Sequence, residues 1–206
     1  ALVKDAAYQG LLRSKRLQLH KVIAEIVERD FQQMAERNPE LLAYHYREAG
    51  DVEKSIPFSF KAGDEAAGRY APAEASAHYQ SALEMAKEIT DTKKSARIQI
   101  KAILKLAKVI VKRDQLESNL ANLEQARKLA EAINHPVRLC QIQYWIGRSY
   151  YVMGRFELAA EFARLALDIA ETLGNDDSIE TGPVNLLARV HCLMGEPVEA
   201  ISYAAR

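Results

Sequence analysis

The stretch YWIGRSYYVMGRFELAAEFARLALDIA, residues 144–170, decides the fold of this 206-residue chain. Apolar and small residues recur in it at spacings of three and four, the periodicity of a helix with one buried face. A break at Gly154-Arg155 divides the stretch into two such segments. It therefore predicts a pair of antiparallel helices, packed closely where small residues such as Gly147 and Ala159 let the two backbones approach.

The same pattern recurs about every forty residues in the second half of the chain. Ala107, Gly147 and Ala188 hold one position of the pattern and are separated by 40 and 41 residues. A period of this size is typical of stacked helical repeats, in which no repeat buries its apolar face alone. Helical periodicity covers nearly the whole chain, and no segment alternates with the period of a strand. The pattern predicts an all-α solenoid of about ten antiparallel helices.

The copy at residues 144–170 resembles a tetratricopeptide repeat. The residues that carry the resemblance are Gly147, Tyr150, Gly154, Phe156, Ala159 and Ala166. The resemblance implies a tetratricopeptide-like solenoid, a right-handed superhelix of long, roughly forty-residue repeats, with the first helix of each repeat lining the inner surface. Arrays of this kind present extended concave surfaces to binding partners.

The first ninety residues contain a second set of short motifs. In chain order they include Leu19-His20, Glu40-Leu41-Leu42-Ala43, His45-Tyr46, Glu48-Ala49-Gly50 and Ala62-Gly63-Asp64. Their order is similar to the segment after the ATPase module in bacterial proteins that join an adenylate/guanylate cyclase domain to an AAA-like signalling ATPase and a repeat tail. This resemblance implies a regulatory or scaffolding role, with the catalytic motifs of that family lying upstream.

Three regions are expected along the chain. We interpret residues 1–36 as a helical junction to an upstream domain and residues 37–92 as irregular tetratricopeptide-like helices. Residues 93–206 form the regular repeats, of which the last is truncated. The chain begins without Met and stops within a helical pattern, so both ends are expected to be cuts in a larger polypeptide.

Composition favours a cytoplasmic protein without a membrane segment. Lys plus Arg and Asp plus Glu number 28 each, so net charge points to neither nucleic acid nor membrane. The N-terminus lacks the features of a signal peptide, and no apolar run approaches the ~20 residues that cross a bilayer. Cys140 and Cys192 are expected to be two reduced, partly buried thiols.

No motif in the chain indicates catalysis, a cofactor or a metal. There is no phosphate-binding glycine loop, no C-x-x-C and no H-E-x-x-H. The five histidines are scattered singly, so a metal site would need them to meet by tertiary coincidence. We therefore predict no catalytic, cofactor-binding or metal-binding residue and a non-enzymatic chain.

One concentration of charge stands out. Between Asp91 and Asp114 there are eight basic residues and no acidic one. On a helix, five of them fall within an arc of about 80° and form an exposed ridge opposite the apolar face. The ridge consists of Arg97, Lys101, Lys105, Lys108 and Lys112.

Aligning the repeats extends this ridge into a candidate groove for a partner. Lys108, Arg148 and Arg189 share one position in three successive repeats, one residue after the small packing residue. Such a ladder suits the carboxylates of an acidic peptide or a neighbouring domain, with tyrosine rings adding flat contact. The full candidate set is Lys101, Lys105, Lys108, Lys112, Tyr144, Arg148, Tyr151, Asn185 and Arg189.

Other interpretations of the ridge stay open. The favoured one is a solvated face that is neutralised by acidic residues of second helices, such as Glu117, Glu124 and Glu131. The anionic-partner groove comes next. Nucleic acid is the least favoured of the three, because the net charge is zero and no aromatic series accompanies the lysines.

The function predicted is a protein-protein interaction or scaffold module that binds a partner peptide or sister domain on its concave face. The alternative is a regulatory tail that transmits conformational or oligomeric changes without its own ligand. The last helix, from about Glu196 to Arg206, presents Ala200, Ile201 and Ala204 with no following helix to cover them. We therefore also expect a homodimer through the C-terminal end.

Overall fold

The computed structural model describes residues 12–110, 115–174 and 177–206. In these ranges the backbone forms eleven helices joined by short turns, and it forms no strand. The helices are α1 (Arg13–Asp30), α2 (Gln32–Arg37), α3 (Pro39–Glu48), α4 (Val52–Gly68), α5 (Pro72–Lys87), α6 (Thr92–Val109), α7 (Leu116–Ala132), α8 (Pro136–Val152), α9 (Phe156–Thr172), α10 (Asp177–Met194) and α11 (Pro197–Ala204).

Five of the described helices end in the same closing turn. One or two residues past the helix a residue adopts a positive φ, and the next N–H donates to a carbonyl five residues back, as in a Schellman motif. Gly154 has φ 77°, and the Arg155 N–H donates to the Tyr150 carbonyl at 2.9 Å. Gly50, Tyr70, Asn134 and Gly195 close their helices in this way too. The break predicted at Gly154-Arg155 therefore lies where α8 ends.

The first residues of several helices also explain why those helices begin where they do. Four helices begin at a proline, whose missing N–H costs nothing in the first turn. Asp51 caps α4 by accepting from the Lys54 N–H at 3.2 Å. Asp91 accepts from the N–H groups of Lys93 and Lys94 at 3.0 Å, and the bond from Lys94 is the main reason that the pKa of Asp91 is lowered.

The chain divides into two compact units, residues 1–98 and 99–206. In the first unit, α3 packs on α4, α4 packs on α5, and α1 packs on α3. A buried cluster of Ala24, Ala35, Leu42 and Tyr46 joins α1, α2 and α3. Ser55 at the start of α4 donates to the Ala43 carbonyl at 2.6 Å, so its buried hydroxyl is satisfied.

In the second unit, each helix from α7 to α11 packs on the next, and α8 also contacts α10. Gly147 lies where α8 crosses α9: a Cβ there would lie 3.1 Å from the Ala159 carbonyl oxygen and 3.3 Å from the Ala163 nitrogen. The prediction that small residues mark a close helix crossing is thus correct at this position. The contact between α8 and α10 brings first helices of successive repeats together, as stacking of repeats requires.

The two cysteines differ from each other in their surroundings. Both are free; Cys140 is buried and Cys192 is exposed, so the expectation of two partly buried thiols was wrong for Cys192. The Cys140 thiol donates to the Ala166 carbonyl at 3.1 Å, and burial raises its pKa to about 11. No helix in the described part of the chain combines the length and apolar character that a membrane span needs.

Candidate functional site

The basic ridge lies on α6 and is open to solvent. Arg97, Lys101 and Lys108 are exposed and Lys105 is half-buried, while the opposite face of the helix is buried. Ile100, Ile103 and other apolar residues form that buried face, which fixes the direction of the lysines. Lys112 lies outside the described residues.

A groove of about 390 Å³ runs beside the ridge. Its described lining comes entirely from α6, α8 and α10, the first helices of three aligned repeats. This agrees with the inner surface that the tetratricopeptide resemblance implies. The lining residues are Lys101, Leu104, Lys105, Lys108, Arg138, Gln141, Tyr144, Trp145, Gly182 and Pro183.

The groove is basic on two sides. Lys101, Lys105 and Lys108 approach it from α6 and Arg138 from α8, and its described lining includes no acidic side chain. Arg138 donates from Nη1 to Gln141 Oε1 at 2.8 Å, which holds the guanidinium beside the groove. Lys101 and Lys105 each have an interaction within the chain. An anion would therefore depend most on Lys108 and Arg138.

Two aromatic rings line the groove together with these cations. Tyr144 and Trp145 meet edge to face, with ring centroids 5.4 Å apart and planes at 69°. Gly182 of α10 leaves room for the Tyr144 ring, since a Cβ there would lie 3.2 Å from Tyr144 Cε2. Arg148 lies over the Trp145 ring with its Cζ 5.2 Å from the centroid, a cation–π contact that places a further positive charge at the groove.

The structure brings together only part of the predicted set. Lys101, Lys105, Lys108 and Tyr144 line the groove, and Arg148 borders it through Trp145. Arg189 is exposed on α10 but is not among the lining residues.

Two members of the predicted set lie elsewhere. Tyr151 is half-buried against Phe156, with ring centroids 6.1 Å apart, where α8 packs on α9. Asn185 lines a separate hollow of about 410 Å³ with Tyr203 and Arg206 of the C-terminal segment. These positions follow from the packing of α9 and the last residues, which the alignment of first helices does not describe.

Six residues that line the groove were not predicted from the sequence. These are Leu104, Arg138, Gln141, Trp145, Gly182 and Pro183. The forty-residue alignment contains a signal for two of them, because it pairs Lys101 with Gln141 and Lys105 with Trp145. Arg138 aligns with Ile98 and has no basic counterpart on α6.

Two of the three acids proposed to neutralise the ridge, Glu124 and Glu131, have other contacts. Arg127 of the same helix, α7, contacts Glu124 at 2.9 Å and Glu131 at 3.0 Å, and these bonds raise the pKa of Arg127. Exposed pairs of this kind add little stability, but they direct both carboxylates to their own helix.

Comparisons with known proteins identify the fold. No family model matches the chain. An uncharacterized protein of Rhizobium meliloti (strain 1021) is 27% identical over 130 residues, which are 63% of this chain and 12% of that protein. The chain thus matches a small part of a much longer relative.

Two solved structures resemble the chain. The apo form of RapI has a TM-score of 0.69 at 17% identity, covering 98% of this chain and 55% of RapI. BtubC from P. vanneervenii has a TM-score of 0.56 at 18% identity, covering 94% of this chain and 86% of BtubC. Both are helical-repeat proteins of the tetratricopeptide-like kind. This chain has that fold. The predicted fold class is confirmed, and a likeness at this identity concerns the fold alone.

Proposed function

We propose that the chain is a non-catalytic protein-interaction module that binds an acidic peptide, or an acidic segment of a sister domain, in the groove between α6, α8 and α10. One observation carries the proposal: cations from two helices surround the groove, and its described lining includes no acid. A helical-repeat fold is consistent with a scaffold of this kind. The occupant would relieve the repulsion between like charges along α6.

Two cations and two rings define what the groove would accept. Arg138 uses one donor for Gln141, and a guanidinium has five N–H donors, so further donors are available for a carboxylate. Lys108 makes no ion pair with any described residue and is exposed. Tyr144 and Trp145 offer flat apolar surface between them. The best occupant is therefore an acidic segment that also carries an apolar side chain.

The test is calorimetric titration of the 206-residue chain with a synthetic peptide of alternating Glu and Leu residues. We expect binding that weakens with added salt. The double variant Lys108→Glu/Arg138→Glu should raise Kd at least tenfold, because a hydrogen bond to a charged group contributes about 1.5–3 kcal/mol and 1.4 kcal/mol is a factor of ten.

The matched control makes the same charge change elsewhere on the second unit. Lys128 on α7 and Arg155 before α9 are both exposed, and Lys128→Glu/Arg155→Glu should leave Kd within about twofold by comparison. An equal loss of affinity in both double variants would show a general charge effect and contradict the groove.

The ladder of three aligned cations is tested separately. The triple variant Lys108→Glu/Arg148→Glu/Arg189→Glu should release the peptide if Arg189 belongs to the same surface. Comparison with Arg189→Glu alone shows whether the site extends from the groove along α10. Peptide binding that survives the triple reversal would rule out the ladder.

A second candidate is the regulatory tail of a cyclase-linked signalling ATPase. The order of short motifs in the first ninety residues supports it, and the curated relative is much longer than this chain. The test compares a full-length parent with one lacking this region. A tail should change the oligomeric state or the nucleotide turnover of the parent, whereas identical behaviour with and without the region would contradict that role.

A further inference from the structure

Helix α1 carries an apolar stripe that no described residue covers. Its buried face, with His20 and Ala24, packs on α3. Beside that face lie five exposed apolar residues, and at 100° per residue they span an arc of about 100°. They are Leu12, Leu19, Val22, Ile23 and Ile26, which are 69%, 47%, 43%, 39% and 38% exposed. A contiguous patch of this kind marks an interaction surface.

The stripe continues past the end of α1 into a hollow. Phe31 and Met34 are 54% and 48% exposed. They line a concavity of about 830 Å³ at the junction of α1 and α2, together with polar residues such as Arg37 and Asn38. An apolar side chain from a partner would be buried there.

Charge is divided unevenly between the two halves of α1. Residues 13–21 include Arg13, Lys15, Arg16 and Lys21 and no acid, whereas residues 22–30 include Glu25, Glu28 and Asp30 and one base, Arg29. Cations in the first turn oppose the positive end of the helix dipole, and acids near the last turn oppose its negative end. Both disadvantages are removed if an oppositely directed copy of the same helix lies alongside.

We propose that the stripe is a homodimer interface in which α1 pairs antiparallel with α1 of a second copy. A two-fold axis that places residue 22 opposite residue 23 also places Leu19 opposite Ile26 of the other copy. The same register puts Lys15 opposite Asp30, whose present partner is the exposed Arg29 at 2.7 Å. It brings Leu12 to the hollow that Phe31 and Met34 line. An isologous interface needs this self-complementarity.

Sedimentation of the 206-residue chain at several concentrations tests the pairing. We expect a reversible dimer whose Kd rises at least tenfold in Leu19→Ser/Ile26→Ser. The matched control, Val198→Ser/Ile201→Ser, changes residues of α11 that are 75% and 68% exposed, and it should leave the α1 dimer intact. A chain that is monomeric at every concentration overturns the proposal. So does a dimer that only the α11 variant dissociates, which would instead support the C-terminal association expected from the sequence.

Charge exchange tests the register even if the serine variants fold poorly. Lys15→Asp and Asp30→Lys should each weaken the dimer, and the double variant should restore it. Failure of the double variant to recover any affinity overturns this register.

Spin labels test the direction of pairing. Labels at Ser14→Cys, in a Cys192→Ser background, should be about 25 Å apart along the axis in the antiparallel pair, at 1.5 Å per residue. A label-to-label distance with no such separation along the axis would mean that the helices are parallel, and it overturns the proposal.

Discussion

Tyr70 has a backbone conformation that usually belongs to glycine. Its φ is 59°, and it closes α4 at the position where Gly50 and Gly154 close other helices. Its side chain is 94% exposed, so packing does not offset the cost of the left-handed conformation. For a residue with a Cβ this cost is about 1–2 kcal/mol.

Replacing Tyr70 by glycine should therefore stabilise the chain. We expect Tyr70→Gly to raise the free energy of unfolding by about 0.5–1 kcal/mol, after the greater flexibility of glycine in the unfolded chain is subtracted. Urea denaturation followed by circular dichroism measures the change. Tyr70→Ala retains the Cβ and should show no such gain; an equal gain in both variants would locate the effect in the exposed ring instead.

The sequence predicts the conformation and burial of some residues but not of others. Proline favours the start of α5 at Pro72, but the left-handed tyrosine two residues before it has no sequence signal. Similarly, Gln143 is buried and its Oε1 has no hydrogen-bond partner among the described residues, which its place in a helical pattern did not indicate. The burial of Gln143 depends on the surroundings that tertiary structure supplies, whereas nothing in the structure explains why a tyrosine occupies position 70.

At the scale of elements, α8 and α9 pack closely because Gly147 has no side chain to separate them. Gly147 lies against the backbone of α9, which cannot move away as a flexible side chain would. Alanine gains about 1 kcal/mol over glycine in a helix interior, so a single methyl group there has opposing effects. A branched side chain removes this ambiguity.

We expect Gly147→Val to lower the free energy of unfolding by about 1–3 kcal/mol, the usual cost of overpacking. Thermal or urea unfolding gives the measurement. Gly68, the last residue of α4, provides the control, since a Cβ there meets nothing within 4 Å. Gly68→Val should change stability by no more than about 0.5 kcal/mol. A neutral Gly147→Val would show that the two helices separate easily at this crossing.

Helix positions were predictable from sequence, whereas the groove was predictable only in part. Glycine, proline and Asp51 end or start helices through residues close to them in the chain. The ends of those helices can therefore be predicted from the sequence. Lys101, Lys105 and Lys108 share one helix face and could be grouped by periodicity alone. Arg138 and Trp145 join them because α6 and α8 line the same groove, an arrangement that depends on how the helices pack.

At the scale of the whole molecule, the two compact units contain different titratable contacts. In residues 1–98, the His20 and His45 Nδ1 atoms are 2.9 Å apart and join α1 to α3. One of the two nitrogens must accept the hydrogen bond, so protonating that ring breaks it. In residues 99–206, His191 is buried between Glu196, Arg164 and Tyr203, which lie on three sides of its ring.

The pair in the first unit should make that unit sensitive to acid. Burial, with a smaller effect of His20, lowers the pKa of His45 below its ordinary value of 6.5, while Glu48 opposes the shift. The unfolded chain therefore binds the proton more readily. Stability that is fully present above pH 6.5 is lost progressively below that value, as the pH falls through the lower pKa of the folded state. We expect urea midpoints between pH 7.5 and 5 to fall less in His45→Gln than in the unchanged chain. Parallel curves for the two proteins would contradict this.

The division between residues 98 and 99 lies within α6, and no feature of the sequence marks it. Arg97-Ile98-Gln99 contains neither glycine nor proline, and the helical pattern continues through it. Division into regions 1–36, 37–92 and 93–206 stays a prediction.

The chain contains a single tryptophan, and Trp145 is that residue. Because its ring lines the basic groove, against Arg148 and Tyr144, all of the tryptophan emission of the protein originates at the candidate site. Indole emission responds to solvent exposure and to nearby charge. The groove therefore has its own optical reporter, and any compound or peptide can be screened against the unmodified chain without attaching a dye.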